Sequence, residues 1–284
     1  MGPTIGVLHP GQMGAAIAAQ AVLTGNRVLW LPAGRSPATH DRALEAGLVP
    51  VPTLAELLAE SAVVLSLCPP AAADDVARQV AAVGFRGVFV EANAVNPARV
   101  TVLADELEAR GTVVVDGSVI GPPPSASSGA RLYLAGAPEP VGTVAALFAG
   151  TAVAATALDG DVGAASALKM AFASYQKATR TLAAVAHALA ARHGVTGPLL
   201  AEARAMAGLP LAELDYLPSV AARAWRWGPE LREVGDSLAA EGLPTELAIG
   251  TAEVLARWEG QRDRWDVSVA DVLAELAAFT GAAS

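Results

Sequence analysis

Short apolar runs separated by turn residues open the chain. Thr4–Leu8 (TIGVL), Arg27–Leu31 (RVLWL) and Ala62–Leu67 (AVVLSL) read as buried strands, the third stopped by Pro69 and Pro70. Gly87–Val90 (GVFV), Thr112–Val115 (TVVV) and Leu132–Ala135 (LYLA) add three more. Gly14–Leu23, Leu54–Ala59, Asp74–Val83 and Pro97–Arg110 carry apolar residues at helical spacing between them. Strand and helix alternate about every 25 residues over 1–150, which predicts an α/β domain with a mostly parallel sheet and helices on both faces.

From about Asp161 the pattern changes. Positions 164–192 read as one long, mostly apolar helix without internal Pro or Gly. Helical segments follow at 199–207, 219–240, 244–258 and 267–279, divided by Gly–Pro, Leu–Pro and Asp-containing turns, and no further strand is expected. The expectation is therefore an all-α C-terminal domain, with the boundary in LDGDVG at 158–163 and domains at 1–160 and 161–284. The Pro and Ser cluster at 121–128 (GPPPSASS) reads as an ordered loop, because it lies between two strand candidates.

Composition narrows the function classes. With 53% apolar residues in 284, the chain can bury full cores, and with only 5% aromatics it must pack them mainly with Ala, Val and Leu. A net charge of −9 argues against a nucleic-acid partner, which needs a dense basic surface. Cys68 is the only cysteine, so no internal disulfide forms and a reducing compartment, the cytoplasm, is expected. Its place at the end of an apolar run suits a buried or cofactor-lining thiol better than a nucleophile. Residues 1–8 enter a strand pattern with no basic leader, so no signal peptide is expected. Ala-rich stretches such as 178–191 contain Arg or His too often to span a bilayer, so no membrane partner is expected either.

The first turn carries the first chemistry. Leu8–Gly14 reads L-H-P-G-Q-M-G; against G-x-G-x-x-G, Gly11 and Gly14 match and His9 takes the first glycine position. The middle glycine lets a pyrophosphate approach the backbone, and the third lets the helix pack close on the strand. The following helix N-terminus offers free N–H groups and partial positive charge to that diphosphate. Pro10 supplies a rigid turn in place of the missing glycine, and His9 reads as a partly exposed turn residue rather than a catalytic one. His9, Pro10, Gly11, Gln12, Met13 and Gly14 are thus the candidate cofactor cradle of a Rossmann domain.

An NAD enzyme usually has an acid at the end of the second strand to hold the ribose hydroxyls. Here that strand runs into Leu31-Pro32-Ala33-Gly34-Arg35-Ser36, with no acid before Asp41. Arg35 and Ser36 suit a 2′-phosphate instead, the guanidinium acting as a fork-shaped donor, which points to NADPH/NADP+. The alternative for Arg35 is a solvated loop arginine.

Taken in order, IGVLHPGQMG, SLCPP at 66–70, VEANAVNP at 90–97, DGSVIGPPPSASSGA at 116–130 and GAASALKMA at 163–171 resemble the β-hydroxyacid dehydrogenases. That superfamily includes the 3-hydroxyisobutyrate and 6-phosphogluconate dehydrogenases. The resemblance covers nearly the whole chain and is strongest to a branch with the HPGxMG turn and an all-helical C-terminal domain. It implies a Rossmann domain followed by a helical domain, a small-molecule substrate bound in a cleft between them, and usually a homodimer. It also implies a catalytic lysine early in the long helix, the position of Lys169. Composition points to the same residue: the only lysines among 19 basic residues are Lys169 and Lys177. Lysine can be tuned by burial to give up a proton, whereas arginine effectively cannot. Lys177 lies roughly 12 Å further along a helix axis, too far to share the chemistry, and reads as a surface or interface residue. Cys68 and Pro69 fall where the family's cofactor passes, and Asn93 near a position bordering nicotinamide and substrate.

The departures bear on substrate. The family's Ser-Gly-Gly substrate loop becomes Ile120-Gly121-Pro122, and the positions of its later His and Asn become Phe172 and Ala173. Ile120, Gly121, Pro122, Phe172 and Tyr175 therefore outline a substrate site less polar than that of a small hydroxyacid or phosphosugar. The expected reaction is hydride transfer between nicotinamide and a carbonyl or alcohol, with Lys169 as acid or base and Asn93 orienting the substrate. No metal is expected in it. Imine reductases share the architecture but usually have Asp or Tyr in place of the lysine, and Tyr175 keeps that alternative open. A protein holding NADPH without turnover is the other alternative. Trp225, Trp227 and Trp265 read as helical packing, or as cleft or interface residues.

Overall fold

The computed structural model describes residues 2–173, 175, 179, 190, 193–205, 214–240 and 242–277. By packing, the chain divides into two compact units, Met1–Ala173 and Ser174–Ser284.

In the first unit the elements are β1 (Thr4–Val7), α1 (Gln12–Leu23), β2 (Arg27–Trp30), α2 (Pro37–Glu45), β3 (Val49–Pro50) and α3 (Leu54–Glu60). They continue with β4 (Val63–Ser66), α4 (Ala73–Val83), β5 (Val88–Glu91), α5 (Pro97–Glu108), β6 (Val113–Ile120) and β7 (Ala130–Ala135). The unit closes with α6 (Pro138–Ala146), β8 (Val153–Ala157) and α7, whose described part runs 164–173.

Eight strands form one sheet in the order β3-β2-β1-β4-β5-β6-β7-β8. Every neighbouring pair is parallel except β6 and β7, an antiparallel hairpin around the 121–129 loop. Strand order reverses at β1, so the edge where β1 and β4 end is a topological switch point, the place where open α/β sheets bind ligands.

Alternation along the strands sends apolar side chains to both faces. Leu29, Val64, Phe89 and Val114 pack with Leu57, Val80, Val100 and Leu103 of α3, α4 and α5. Ile5, Val7, Leu65, Val90 and Val115 pack with Ile17, Ala18, Val141 and Val144 of α1 and α6 on the other face. Local signals start the helices: Thr53 Oγ1 accepts from Glu56 N at 3.1 Å before α3, and Asn96 Oδ1 from Arg99 N at 2.8 Å before α5, with Pro97 in the first turn.

Each strand expected from the pattern forms. β6 runs on to Ile120 rather than ending at Val115, because its polar Asp116 and Ser118 are buried against the rest of the unit rather than marking a strand end. β3, of two residues, and β8, mostly exposed beyond Val153, lack a readable apolar alternation and are not expected from the sequence. The same holds for α2 and α6, which begin with Pro and carry weak patterns.

The second unit holds α8 (Thr196–Ala205), α9 (Leu217–Ala240), α10 (Glu246–Ala256) and α11 (Val269–Ala277), and contains no strand among the described residues. Ala221, Ala224, Leu255, Trp258 and Val272 form its core, where Trp258 Nε1 donates to the Val272 carbonyl at 2.9 Å. Trp227 packs against this core. Trp225 and Trp265 are exposed at its surface, with Arg262 over the Trp225 ring at 3.9 Å and Arg223 over the Trp265 ring at 5.0 Å. Most of the expected long helix beyond 173, including Lys177, lies outside the described residues, as do 206–207 and 278–279. No helix among the described residues is long and apolar enough to cross a membrane.

Candidate active site

The candidate residues of the first unit gather at one edge of the sheet. The β1–α1 turn, the β2–α2 loop, the turn after β4, the end of β5 and the end of β6 all lie where the parallel strands terminate.

The glycine turn is shaped by close approach. A Cβ at Gly14 would lie 2.2 Å from the His9 carbonyl oxygen, so α1 packs against the turn at a distance only glycine permits. At Gly11 the outcome is opposite: a Cβ would meet nothing within 4 Å, so this backbone faces open space. Gly11 is the N-cap of α1 and no side chain caps the helix, leaving the N–H groups of its first turn, among them Gln12 and Met13, available to a ligand. An unobstructed helix start with a bare backbone suits a diphosphate. Pro10 is buried beneath the turn.

His9 and Arg35 meet beside it. Burial chiefly, with the Arg35 charge adding, lowers the His9 pKa to about 4, so the ring is neutral at pH 7. Arg35 Nη2 donates to the Leu8 carbonyl at 3.2 Å, while Arg35 Nε and His9 Nδ1 are buried without a hydrogen-bond partner. Arg35 is thus bound back onto the turn, not a freely solvated loop residue. Leu8, Leu31, Leu54 and Val76 line a small cavity beside this pair. Ser36 is exposed at the N-cap of α2, its hydroxyl 3.1 Å from that of Thr39.

Asn93 and Cys68 form the next layer. Asn93 Oδ1 accepts from Cys68 N at 2.5 Å, and Asn93 Nδ2 donates to Ser66 Oγ at 3.0 Å. Both ends of a side chain only 3% exposed are therefore engaged in tying the end of β5 to the turn after β4. Expected to orient the substrate, Asn93 in this geometry holds the backbone turn of Cys68 and Pro69. Burial, followed by the Glu91 charge, raises the Cys68 thiol pKa, which fits a lining group rather than a nucleophile. Pro69 is exposed.

Lys169 lies in α7, and two attachments bind that helix to β6. At its N-terminus, Asp116 Oδ2 accepts from Gly163 N and Ser166 N, both at 2.9 Å, and Asp116 Oδ1 accepts from Ser166 Oγ at 2.7 Å. A carboxylate completely buried at a helix N-terminus satisfies donors the helix leaves open and opposes the positive end of its dipole. One turn later, Lys169 Nζ donates to the Val119 carbonyl at 2.5 Å. The half-buried ammonium therefore lies against the end of β6, next to Ile120.

Ile120 is 4% exposed, whereas Gly121 and Pro122 are exposed. Gly121 has φ +124, and a Cβ there would lie 3.2 Å from the Gly129 carbonyl oxygen, so the hairpin entry needs glycine. Phe172 is half-buried on α7 in the same unit. Tyr175 belongs to the second unit.

Residues 4–160 match the family described as the NAD binding domain of 6-phosphogluconate dehydrogenase. The chain belongs to that family. Residues 190–258 match a domain of unknown function, DUF1932. No curated protein matches the chain. Among solved structures it is similar to an imine reductase from Bacillus cereus, at 20% identity over 97% of this chain and 99% of that one, with TM-score 0.73. A reductive aminase from Aspergillus terreus, solved with NADPH and ethyl levulinate, gives 18% identity over 96% and 99%, with TM-score 0.73. A conserved protein of unknown function, itself structurally similar to 3-hydroxyacid dehydrogenases, gives 24% identity over 91% and 98%, with TM-score 0.59. At these identities the likeness is one of fold, an NAD(P)-binding dehydrogenase fold.

Within this NAD-binding domain, two buried acids are not among the candidates read from the sequence, although both lie in its motifs. Glu91 and Asp116 end or interrupt apolar runs, VFVE and VVVD. An acid continuing a buried strand is the signal that marks them, because burying a charge needs dedicated partners.

Proposed function

We propose that this protein is an NADPH-dependent oxidoreductase that transfers a hydride between nicotinamide and a carbonyl or hydroxyl carbon. One observation carries the reading: Lys169, one of two lysines in the chain, is fixed by α7 and Val119 at the same sheet edge as the open glycine turn. The Gly11–Gly14 turn and the first N–H groups of α1 would hold the diphosphate, and Arg35 with Ser36 the 2′-phosphate. Bound there, the dinucleotide would supply or accept the hydride. Lys169 holds the proton: its ammonium gives one to the carbonyl oxygen in reduction, and the neutral amine takes one from the alcohol in oxidation. The Val119 carbonyl orients Nζ before substrate arrives, and the Asn93–Cys68–Ser66 bonds hold the facing turn. Apolar Ile120 and Phe172, in place of carboxylate-binding groups, favour a substrate less polar than a small hydroxyacid. The family's usual dimer and the lone cysteine support a homodimer in the cytoplasm.

Reduction of an imine is the second reading, favoured by the likeness to an imine reductase and a reductive aminase. Assay of the purified protein with NADPH against ketone and cyclic imine panels separates the two. Consumption of NADPH with neither class overturns both.

The choice of NADPH rests on Arg35. A charge-assisted phosphate contact contributes about 1.5–3 kcal/mol, so Arg35→Ala is expected to weaken NADPH binding by roughly 10- to 150-fold. NADH binding, measured by fluorescence titration, should change less than about threefold because its ribose carries no phosphate. Equal losses for the two cofactors would remove Arg35 from phosphate recognition.

A further inference from the structure

A row of polar side chains crosses the otherwise apolar sheet. Ser66, Glu91 and Asp116 are register partners on the adjacent parallel strands β4, β5 and β6, and each is at most 1% exposed. The two acids are treated differently by their surroundings. Asp116 accepts three hydrogen bonds, all from the start of α7. Glu91 accepts one, from Asn93 N to Oε1 at 3.1 Å, and its Oε2 is buried with no partner.

Two adjoining buried carboxyls do not both ionise readily, and the one with more donors keeps the charge. An ionised Glu91 would leave an anionic oxygen unsolvated beside the Asp116 carboxylate, a far larger penalty than burying a neutral acid. A protonated Glu91 instead brings a donor to a row rich in acceptors. The Asp116 carboxylate lies opposite, and the Ser118 hydroxyl, on the same face of β6, is also buried and unpartnered.

We propose that Glu91 is a positioning residue for Lys169: carried as a neutral acid, it lets Asp116 remain the anion that anchors α7. Asp116 is linked to the lysine by two routes: hydrogen bonds to the start of the lysine's helix, and the β6 backbone running three residues on to Val119, whose carbonyl accepts from Nζ. Glu91 also accepts from the backbone of Asn93, whose side chain holds the Cys68 turn. Ionising Glu91 therefore places repulsion at the point where both sides of the site are tied together. The effect on catalysis rests on the role proposed above for Lys169; the protonation state of Glu91 does not.

The charged and titratable neighbours oppose one another. Burial is the main cause that lifts Glu91 to a pKa of about 7, and Asp116 from β6 adds to it, while Asn93 and Arg99 of α5 pull it down. Arg99 is largely committed to Asp74 of α4 through a 2.7 Å ion pair. The Cys68 thiol, beside the end of β4, is un-ionised below its raised pKa and adds no charge. An acid with a raised pKa in the folded state stabilises fully below its unfolded value. That stability is lost as pH rises from near 4.5 through about 7.

The test compares wild type with Glu91→Gln, which keeps a neutral donor whatever the pH. Thermal unfolding is followed from about pH 5 to about pH 9, with the pH profiles of kcat and of KM for NADPH. The wild-type midpoint is expected to fall by several degrees relative to the variant between pH 5 and pH 8. Wild-type kcat should decline above neutrality without a matching rise in KM, and the variant should lack that decline. Equal pH slopes for the two proteins would overturn the proposal. Infrared spectroscopy of the wild type supplies an arm that needs neither a folded variant nor turnover. A buried protonated carboxyl band should be present at about pH 6, where exposed carboxyls are ionised, and should titrate away toward about pH 9. Absence of that band at pH 6 would also overturn the proposal. If no substrate turns over, the unfolding and infrared results still decide the state of Glu91.

Discussion

Lys169→Ala is expected to lower kcat by about 10²–10⁴ while leaving NADPH affinity within a few-fold of wild type. The ammonium is the only group proposed to transfer a proton, whereas cofactor affinity is assigned to the glycine turn and Arg35 at other strand ends. Folding should survive, because the side chain is only half-buried and its bond to Val119 O is worth about 1 kcal/mol. Lys169→Arg is the sharper variant: guanidinium keeps the charge and can still bond Val119, yet holds its proton too firmly to exchange it. It should be nearly as inactive as the alanine variant. Single-turnover kinetics with a substrate found in the panels gives the comparison. Unimpaired hydride transfer in either variant removes Lys169 from the chemistry.

Gly14→Ala is expected to damage both stability and cofactor binding. The added Cβ would sit 2.2 Å from the His9 carbonyl oxygen, and a backbone oxygen cannot swing aside as a flexible side chain would. Either α1 moves away from the β1 turn or the turn deforms. Overpacking of this kind costs about 1–3 kcal/mol. It also displaces the helix N-terminus on which the diphosphate depends, so NADPH affinity should fall at least about tenfold, the equivalent of about 1.4 kcal/mol. Gly11→Ala is the contrast. Its Cβ meets no protein atom, so the apo fold should keep its melting temperature while dinucleotide binding weakens. Calorimetric titration beside thermal unfolding distinguishes the two. Full NADPH affinity in Gly11→Ala would mean the diphosphate does not lie on this backbone.

The parallel core was legible because β1, β2, β4 and β5 are buried along most of their length and read as near-continuous apolar runs. The first turn was legible for a related reason: two glycines at fixed spacing answer a need of backbone geometry that other residues cannot meet. β8 and α6 were not: β8 is an edge strand paired with β7 and mostly exposed, and α6 buries only Val141 and Val144, so neither shows a clear period. Lys169 stood out through its rarity. Glu91 and Asp116 did not, because an acid following an apolar run looks the same whether it ends a strand in water or continues it into a core.

The amino-acid order alone determined the alternation of strands and helices, the glycine turn at the first crossover and the lysine on the helix that follows the sheet. These are local matters of side-chain period, backbone freedom and proton chemistry. Only the tertiary structure decided that Asn93 spends both amide ends on Ser66 and Cys68, that Arg35 folds back to Leu8, and that Asp116 rather than Glu91 receives the donors of α7. Hydrogen bonding and desolvation depend on which groups from distant parts of the chain become neighbours, and strand register, not sequence proximity, sets that.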